Sequence, residues 1–278
     1  MKYIYLFGSN ITEGHANQNH ILGGKGANLA EMSNLNIPVP PGFTMSTEVC
    51  NLFLKENKIN KTIVTKAEKA LQIIEKKMSK KLGDIQNPLL LSIRSGAKIS
   101  MPGMMDTVLN VGLTTKTIPG LIKKTKNERF VYDSYRRLIL MYSDVVMEKA
   151  ENKKGINIRK KLEHIMDLAK KSKNISNDFE LDSKDLQEII KKFKKVIKKE
   201  FKVNFPDTVK EQLWGAIYAV FKSWNGYRAV KYREIESISH SIGTAVNVQS
   251  MVFGNLGANS GTGVAFTRDP SNGNNYLY

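Results

Sequence analysis

The stretch from Leu89 to Leu113 constrains the fold of this chain more than any other. Leu89-Leu90-Leu91-Ser92-Ile93-Arg94 is apolar enough for an interior strand, with Ser92 and Arg94 on one side and Leu91 and Ile93 on the other. Ser95 to Asp106 then supplies two glycines, a proline and three methionines, and Thr107 to Leu113 alternates again like a returning strand. A strand, glycine-containing loop, strand unit results, with Arg94 near a strand end.

Regular elements can be read on both sides of this unit. Met1 to Phe7 forms an opening strand, and Leu22-Gly23-Gly24-Lys25-Gly26 leads into a helix whose Leu29, Met32 and Leu35 recur at helical spacing. The glycines set Lys25 at the helix start. Ile37 to Phe43 holds too much proline for a helix or strand, Ser46 or Thr47 caps the next helix, and a charged helix runs from Ile63 to Met78. Another helix begins at Glu128 and carries Phe130, Tyr135, Leu138, Tyr142, Val145 and Val146 as an apolar stripe.

Leu186, Ile189, Ile190, Phe193, Val196 and Ile197 recur in steps of three and four with lysines between them, which predicts a small helical subdomain. Asp207 is expected to cap a helix bearing Leu213, Trp214, Ile217, Phe221 and Trp224. Beyond Arg233, Gly243 to Val252 is β-branched and uncharged, so a strand is favoured. Gly254 to Gly263 is a glycine-rich loop, Val264 to Arg268 a strand, Asp269 to Gly273 a turn, and Tyr276 to Tyr278 the start of a paired strand, so the sequence stops in mid-hairpin.

Charge and cysteine content narrow the function classes. The formal charge of +17 would suit a polyanionic partner. Yet the excess is mostly lysine, much of it between Glu151 and Lys202 on what read as solvated helix faces, and no nucleic-acid-binding module with interleaved Arg and aromatic residues is present. One cysteine, Cys50, excludes a disulfide framework and a Cys-rich zinc site. No run is long enough to span a membrane, and the first residues reach Gly, Ser and Asn too early for a signal peptide. A cytoplasmic protein is expected, binding neither nucleic acid nor membrane.

Three segments pair glycine with a hydroxyl or a cation: Gly23 to Gly26 with Lys25, Arg94 to Gly103 with Ser95 and Ser100, and Gly254 to Gly263 with Ser260 and Thr262. Glycine lets backbone N–H groups approach phosphate oxygens, and Lys and Arg neutralise the charge that spreads during phosphoryl transfer. Together they suggest a polyphosphate site, although none matches the P-loop or dinucleotide fingerprints. Met101, Met104 and Met105 read as gap-filling core beside a turn, and Asp106 as a turn cap. Arg136-Arg137, and Arg228 with Lys231, read as members of surface ion pairs.

The segment Leu91-Ser92-Ile93-Arg94-Ser95-Gly96-Ala97-Lys98-Ile99-Ser100-Met101-Pro102-Gly103-Met104-Met105-Asp106-Thr107-Val108-Leu109-Asn110 resembles the signature of pyruvate phosphate dikinases. So do Gly23 to Met32, Tyr132-Asp133-Ser134-Tyr135-Arg136-Arg137, Gly243 to Gln249, and Ser260 to Pro270, in family order along nearly the whole chain. Phosphoenolpyruvate synthases share the Gly-Gly-Lys and Arg-Ser elements but lack Met-Pro-Gly-Met-Met. Lys98 and Ile99 depart from the more usual Arg and Ala.

The resemblance implies an α+β fold of ATP-grasp type with an inserted helical subdomain. Residues 1–112 would form the phosphate-binding subdomain, 113–205 the helical subdomain, 206–242 a helix returning to the first, and 243–278 the start of a second ATP-grasp subdomain. It also implies that Lys25 and Arg94 bind ATP phosphates and act in catalysis, and that Gly103 and Met105 border those phosphates. Ser260, Gly261, Thr262 and Gly263 would form a lid, and Gln249 and Met251 would lie beside the adenine. The family reaction turns ATP, phosphate and pyruvate into AMP, pyrophosphate and phosphoenolpyruvate through a phosphohistidine domain and a pyruvate-binding domain. Acidic ligands for Mg²⁺ are expected beyond Tyr278, so little turnover is expected of this polypeptide alone. The competing expectations are a basic nucleic-acid-binding protein and a folded relic without catalysis.

Overall fold

The computed structural model of the chain describes residues 2–8, 10–153 and 155–278. Five strands among them form one antiparallel sheet: β1 (Ile4–Phe7), β2 (Gly42–Met45), β3 (Leu91–Ala97), β4 (Thr107–Val111) and β5 (Thr244–Ser250), in the order β1-β2-β5-β3-β4. Met1, read as part of the opening strand, lies outside the described residues. The strand, loop, strand unit is present as β3 and β4, paired antiparallel with an irregularity between Leu91 and Ile93.

The two faces of the sheet differ in chemistry. Ile4, Phe43, Met45, Val246, Val248, Leu91, Ile93 and Val108 are buried in the main core, which the helices α2 (Thr47–Glu56), α3 (Lys61–Met78) and α8 (Val209–Ser223) cover. On the other face, registered pairs carry Tyr5, Thr44, Asn247, Arg94 and Thr107 across all five strands in one row, with Gln249 and Ser92 in the next. Paired residues of neighbouring strands share a face, so this side is polar. Helix α1 (Asn19–Asn34) lies on it, burying Leu22 and Ala27 against Tyr5.

The remaining helices are α4 (Ile118–Thr125), α5 (Glu128–Tyr142), α6 (Ile158–Ser172), α7 (Ser183–Phe201) and α9 (Tyr227–Ile235). Leu186, Ile189, Ile190, Phe193 and Ile197 of α7 are buried, and α7 packs on α5 and α6. Their core is continuous with that beneath the sheet. Helix α5 does not continue regularly to Val146: from Ser143 to Lys149 the chain takes wider π-helical turns, which bring Asp144 Oδ2 within 2.8 Å of Lys149 Nζ.

Four local expectations are corrected. Gly42 and Phe43, read as the end of a run too rich in proline for helix or strand, open β2 and pair with both β1 and β5, because the prolines all lie before them. Ser46 occupies the N-cap of α2, but its hydroxyl makes no capping bond and is buried without a partner among the described residues. Asp207 does not cap α8. Thr208 does, accepting from Glu211 N, while Asp207 instead accepts from the backbone N–H and the hydroxyl of Thr115. Val264 to Arg268 and Tyr276 to Tyr278 are not regular strands. Phe266 and Tyr278 exchange backbone hydrogen bonds of 3.0 Å in each direction, and the turn between them is centred on Asp269.

Candidate functional site

Helix α1 breaks at Gly23, where φ is 66° and ψ is 167°, and restarts at Gly24. A Cβ at position 23 would fall 1.5 Å from the carbonyl oxygen of Gly96. Only glycine permits both the left-handed backbone and this approach to β3. The restarted helix presents its first N–H groups at Gly24, Lys25 and Gly26, a geometry with affinity for anions. Gly26 rests on the polar sheet face: a Cβ there would lie 2.9 Å from Thr44 Oγ1 and 3.0 Å from Asn247 Oδ1.

Lys25 therefore rises from a helix start set on β2, β5 and β3, and Arg94 rises from β3 in the same polar row. Arg94 is the exposed residue of an otherwise mostly buried strand. Partial burial lowers the pKa of Lys25 below its ordinary value, and the positive charge of Arg94 lowers it further. Two cations thus stand close enough for one charge to act on the other beside a glycine-bearing helix start, an arrangement that favours a polyanion.

Gln249 shares this face, one pair further along β5, and its Nε2 donates to Pro40 O at 3.0 Å. Met251, just past β5, is tied by its N–H to Leu90 O at 2.9 Å, and its sulfur lies 3.1 Å from Asn110 N. The loop 98–106 folds the other way. Met101 enters the core, the sulfur of Met105 lies 3.9 Å from Ser223 Oγ on α8, and Gly103 (φ 72°) stands exposed in open space. Asp106 sits 3.7 Å from Lys149 Nζ on the rim of a cavity of about 650 Å³ that Lys222, Arg228 and Tyr227 also line. Burial raises its carboxyl pKa against the opposing pull of Lys149.

The glycine-rich segment leaves β5 at the end away from Gly96. Phe253 packs edge-on against Phe130 at 5.0 Å, and Asn127 Nδ2 donates to Leu256 O at 3.1 Å. Thr262 turns back on Gly254, where a Cβ would collide with its hydroxyl at 1.7 Å. Gly261, Thr262 and Gly263 are exposed and Ser260 is half-buried. The structure thus unites Lys25, Arg94 and Gln249 on one face, while Gly103, Met105 and the Ser260 to Gly263 tip lie on other surroundings.

Arg137 and Lys231 form the expected surface ion pairs, with Asp133 and Glu234 at 2.8 Å each, but Arg136 is buried where it pairs with Asp133 at 2.6 Å, and Arg228 has no ion-pair partner among the described residues. Thr44 and Asn247 were not singled out from sequence. The signal was present in Asn247 and Gln249, polar residues alternating with Val246 and Val248 in an interior strand.

Among the described residues no three His, Cys, Asp or Glu side chains gather as a metal cage, and no described helix is long and apolar enough to cross a membrane. The cradle offers cations and amides rather than carboxylates, so its residues suit phosphate oxygens and not a divalent ion.

A mixed α/β domain with two cations over a glycine-lined helix start is a nucleotide-phosphate-binding domain in type. The family described as "Pyruvate phosphate dikinase, AMP/ATP-binding domain" matches residues 19–73 and 64–278, and the chain belongs to it. It is 48% identical over its whole length to the pyruvate, phosphate dikinase of Clostridium symbiosum, covering 30% of that protein. Identity is 46% to the chloroplastic pyruvate, phosphate dikinase of Mesembryanthemum crystallinum, covering 28%, and 45% to the pyruvate, phosphate dikinase of Rhizobium meliloti, covering 30%. The chain thus spans about three-tenths of the length of these relatives.

Proposed function

We propose that this chain grips the phosphates of ATP for the first half-reaction of a pyruvate phosphate dikinase. The observation that carries this reading is Lys25 at the restarted helix with Arg94 in the adjacent polar row, close enough for one charge to act on the other. In the full reaction ATP, phosphate and pyruvate become AMP, pyrophosphate and phosphoenolpyruvate. The β-phosphoryl of ATP passes to a histidine on a swivelling domain, and the γ-phosphoryl passes to inorganic phosphate. That histidine and the pyruvate site belong to other segments of such an enzyme.

In this reading Lys25 and Arg94 neutralise the negative charge spread over the phosphoryl oxygens during transfer. Gln249 and Met251 lie beside the adenine, chiefly through backbone groups. Gly103 and Met105 come to border the phosphates, and Ser260, Gly261, Thr262 and Gly263 close over them as a lid. The corresponding division is an ATP-grasp subdomain at 1–112, a helical unit at 113–205, a returning segment at 206–242 and the opening of a second ATP-grasp subdomain within 243–278. However, β5 (Thr244–Ser250) at the head of that last stretch is the central strand of the first subdomain's sheet, so the second can open only after it. Mg²⁺ would accompany ATP and supply further neutralisation of the phosphates. The lone, buried Cys50 suits a reducing cytoplasm.

Titration calorimetry with ATP on the unmodified chain, Lys25→Ala and Arg94→Ala tests the proposal. Each substitution should weaken binding on the order of tenfold or more, the scale of a lost charge-assisted contact. Equal heats and affinities in all three proteins would overturn it.

A further inference from the structure

Asn247 stands at the centre of the polar face, opposite Thr44 on one flank and Arg94 on the other. Its residue is 1% exposed. Oδ1 accepts from Thr44 Oγ1 at 2.8 Å, whereas Nδ2 has no acceptor among the described residues. A buried amide donor left unpaired is costly, and packing alone would be served by the valines found at 246 and 248. Some other requirement keeps a carboxamide here.

That requirement lies in what the amide touches. A Cβ on Gly26, next to Lys25, would lie 3.0 Å from Oδ1, and a Cβ on Gly96, two residues beyond Arg94, would lie 2.6 Å from Nδ2. One flat group is therefore wedged between the helix start that bears Lys25 and the strand that bears Arg94. A Cβ at Gly96 would displace it, and one at Gly26 would press on both it and Thr44 Oγ1.

We propose that Asn247 is a positioning residue for polyphosphate: its carboxamide is the spacer that sets how far Lys25 stands from Arg94. A smaller side chain lets α1 settle toward the sheet and alters the gap between the two cations. The ligand class concerned is the phosphate chain of a nucleotide, not its base or ribose. The inference rests on the reading of Lys25 and Arg94 as phosphate-gripping residues.

The test measures inorganic tripolyphosphate and adenosine binding separately, on the unmodified chain, Asn247→Ala, Gly96→Ala and the double variant, each first shown to be folded by its thermal transition. Asn247→Ala should weaken tripolyphosphate binding on the order of tenfold and leave adenosine binding unchanged. Gly96→Ala should weaken it as well. The double variant should recover part of that loss, because Nδ2 of Asn247 is the atom that a Cβ at 96 meets most closely. Asn247→Thr, which keeps a polar group at the position but is shorter, takes the place of the alanine variant where that variant is unfolded.

NMR titration of the Lys25 side chain without ligand adds an independent readout. Its pKa should change in Asn247→Ala, since the distance to Arg94 changes. Unaltered tripolyphosphate affinity together with an unaltered Lys25 titration in folded Asn247→Ala would overturn the positioning role. Equal losses for tripolyphosphate and adenosine would do the same. Absence of tripolyphosphate binding by the unmodified chain, with the Lys25 titration shifted in the variant, would overturn the phosphate-gripping reading and keep the spacer.

Discussion

Asn127 holds both the start of α5 and the root of the glycine-rich segment through one side chain: its Oδ1 accepts from Phe130 N at 3.0 Å, and its Nδ2 donates to Leu256 O. The two bonds are chemically separable. Asn127→Asp keeps the capping acceptor and loses the donor, whereas Asn127→Ala loses both. The alanine variant should lose about 1 kcal/mol for the cap and about 1 kcal/mol for the bond to Leu256. The aspartate variant should lose only the second, and hydrogen exchange around 254–263 should quicken in both. Equal stability of the two variants would refute the division of labour.

Asp133 offers a larger effect. Its carboxylate accepts from Arg136 at 3.0 Å and 2.6 Å and from Arg137 at 2.8 Å. Burial alone would raise its pKa, but the charge and hydrogen bonds of Arg136, aided by Arg137, outweigh burial and lower it. Arg136 is itself buried, with Asp178 at 3.4 Å as its other carboxylate. Asp133→Asn thus leaves a buried guanidinium with only the more distant, half-exposed Asp178 and should cost about 3 kcal/mol in denaturant unfolding. Asp133→Asn with Arg136→Met should recover much of that loss. A cost below about 1 kcal/mol for the single variant would show that solvent already screens the pair.

The Asp269 turn predicts a pH dependence of known sign. Hydrogen bonds from the Ser271 hydroxyl and the Tyr276 hydroxyl, then from Ser271 N, hold its carboxyl at about 2 against an ordinary 3.8. A depressed folded pKa means that the unfolded turn binds the proton more readily. The stabilisation is complete above the ordinary value and is lost as the pH falls through about 2. Exchange protection of Ser271 N and Gly273 N should therefore decline in acid before that of β5. Asp269→Asn should remove this dependence.

Much of the sheet was legible because its strands alternate or are β-branched, and the helices because their apolar residues recur every three or four positions. Lys25 and Arg94 were legible as candidates through the glycines and strand beside them. Their partner Asn247 was not, since its value depends on a register that brings residues 44, 94 and 247 into one row, and period-two patterning does not reveal pairing across such separations. The cap of α8 was misread by one residue because Asp207 and Thr208 are both good cap residues. Tertiary demand decided between them: Thr115 engages Asp207 and leaves the cap to Thr208. Regular strands after Gly263 were expected from β-branched and aromatic content, yet only one mutual backbone pair forms there, where few neighbours cover Val264 and Leu277.

Lys25 carries the most direct test of the phosphate reading. In the free protein, partial burial and Arg94 hold its pKa below 10.5. A lysine whose folded pKa is lowered binds its proton less readily than in the unfolded chain, so this group alone makes stability rise as pH climbs from the lowered value toward 10.5. Polyphosphate reverses the local field, raises the lysine pKa, and so must be bound with proton uptake in that window. ATP affinity should accordingly fall as the pH rises from the lowered value toward 10.5. Calorimetry in two buffers of different ionisation enthalpy should register the proton taken up. Lys25→Arg stays charged throughout and should show a flatter affinity profile and no such uptake. A wild-type profile as flat as that of Lys25→Arg would place the phosphates away from this lysine.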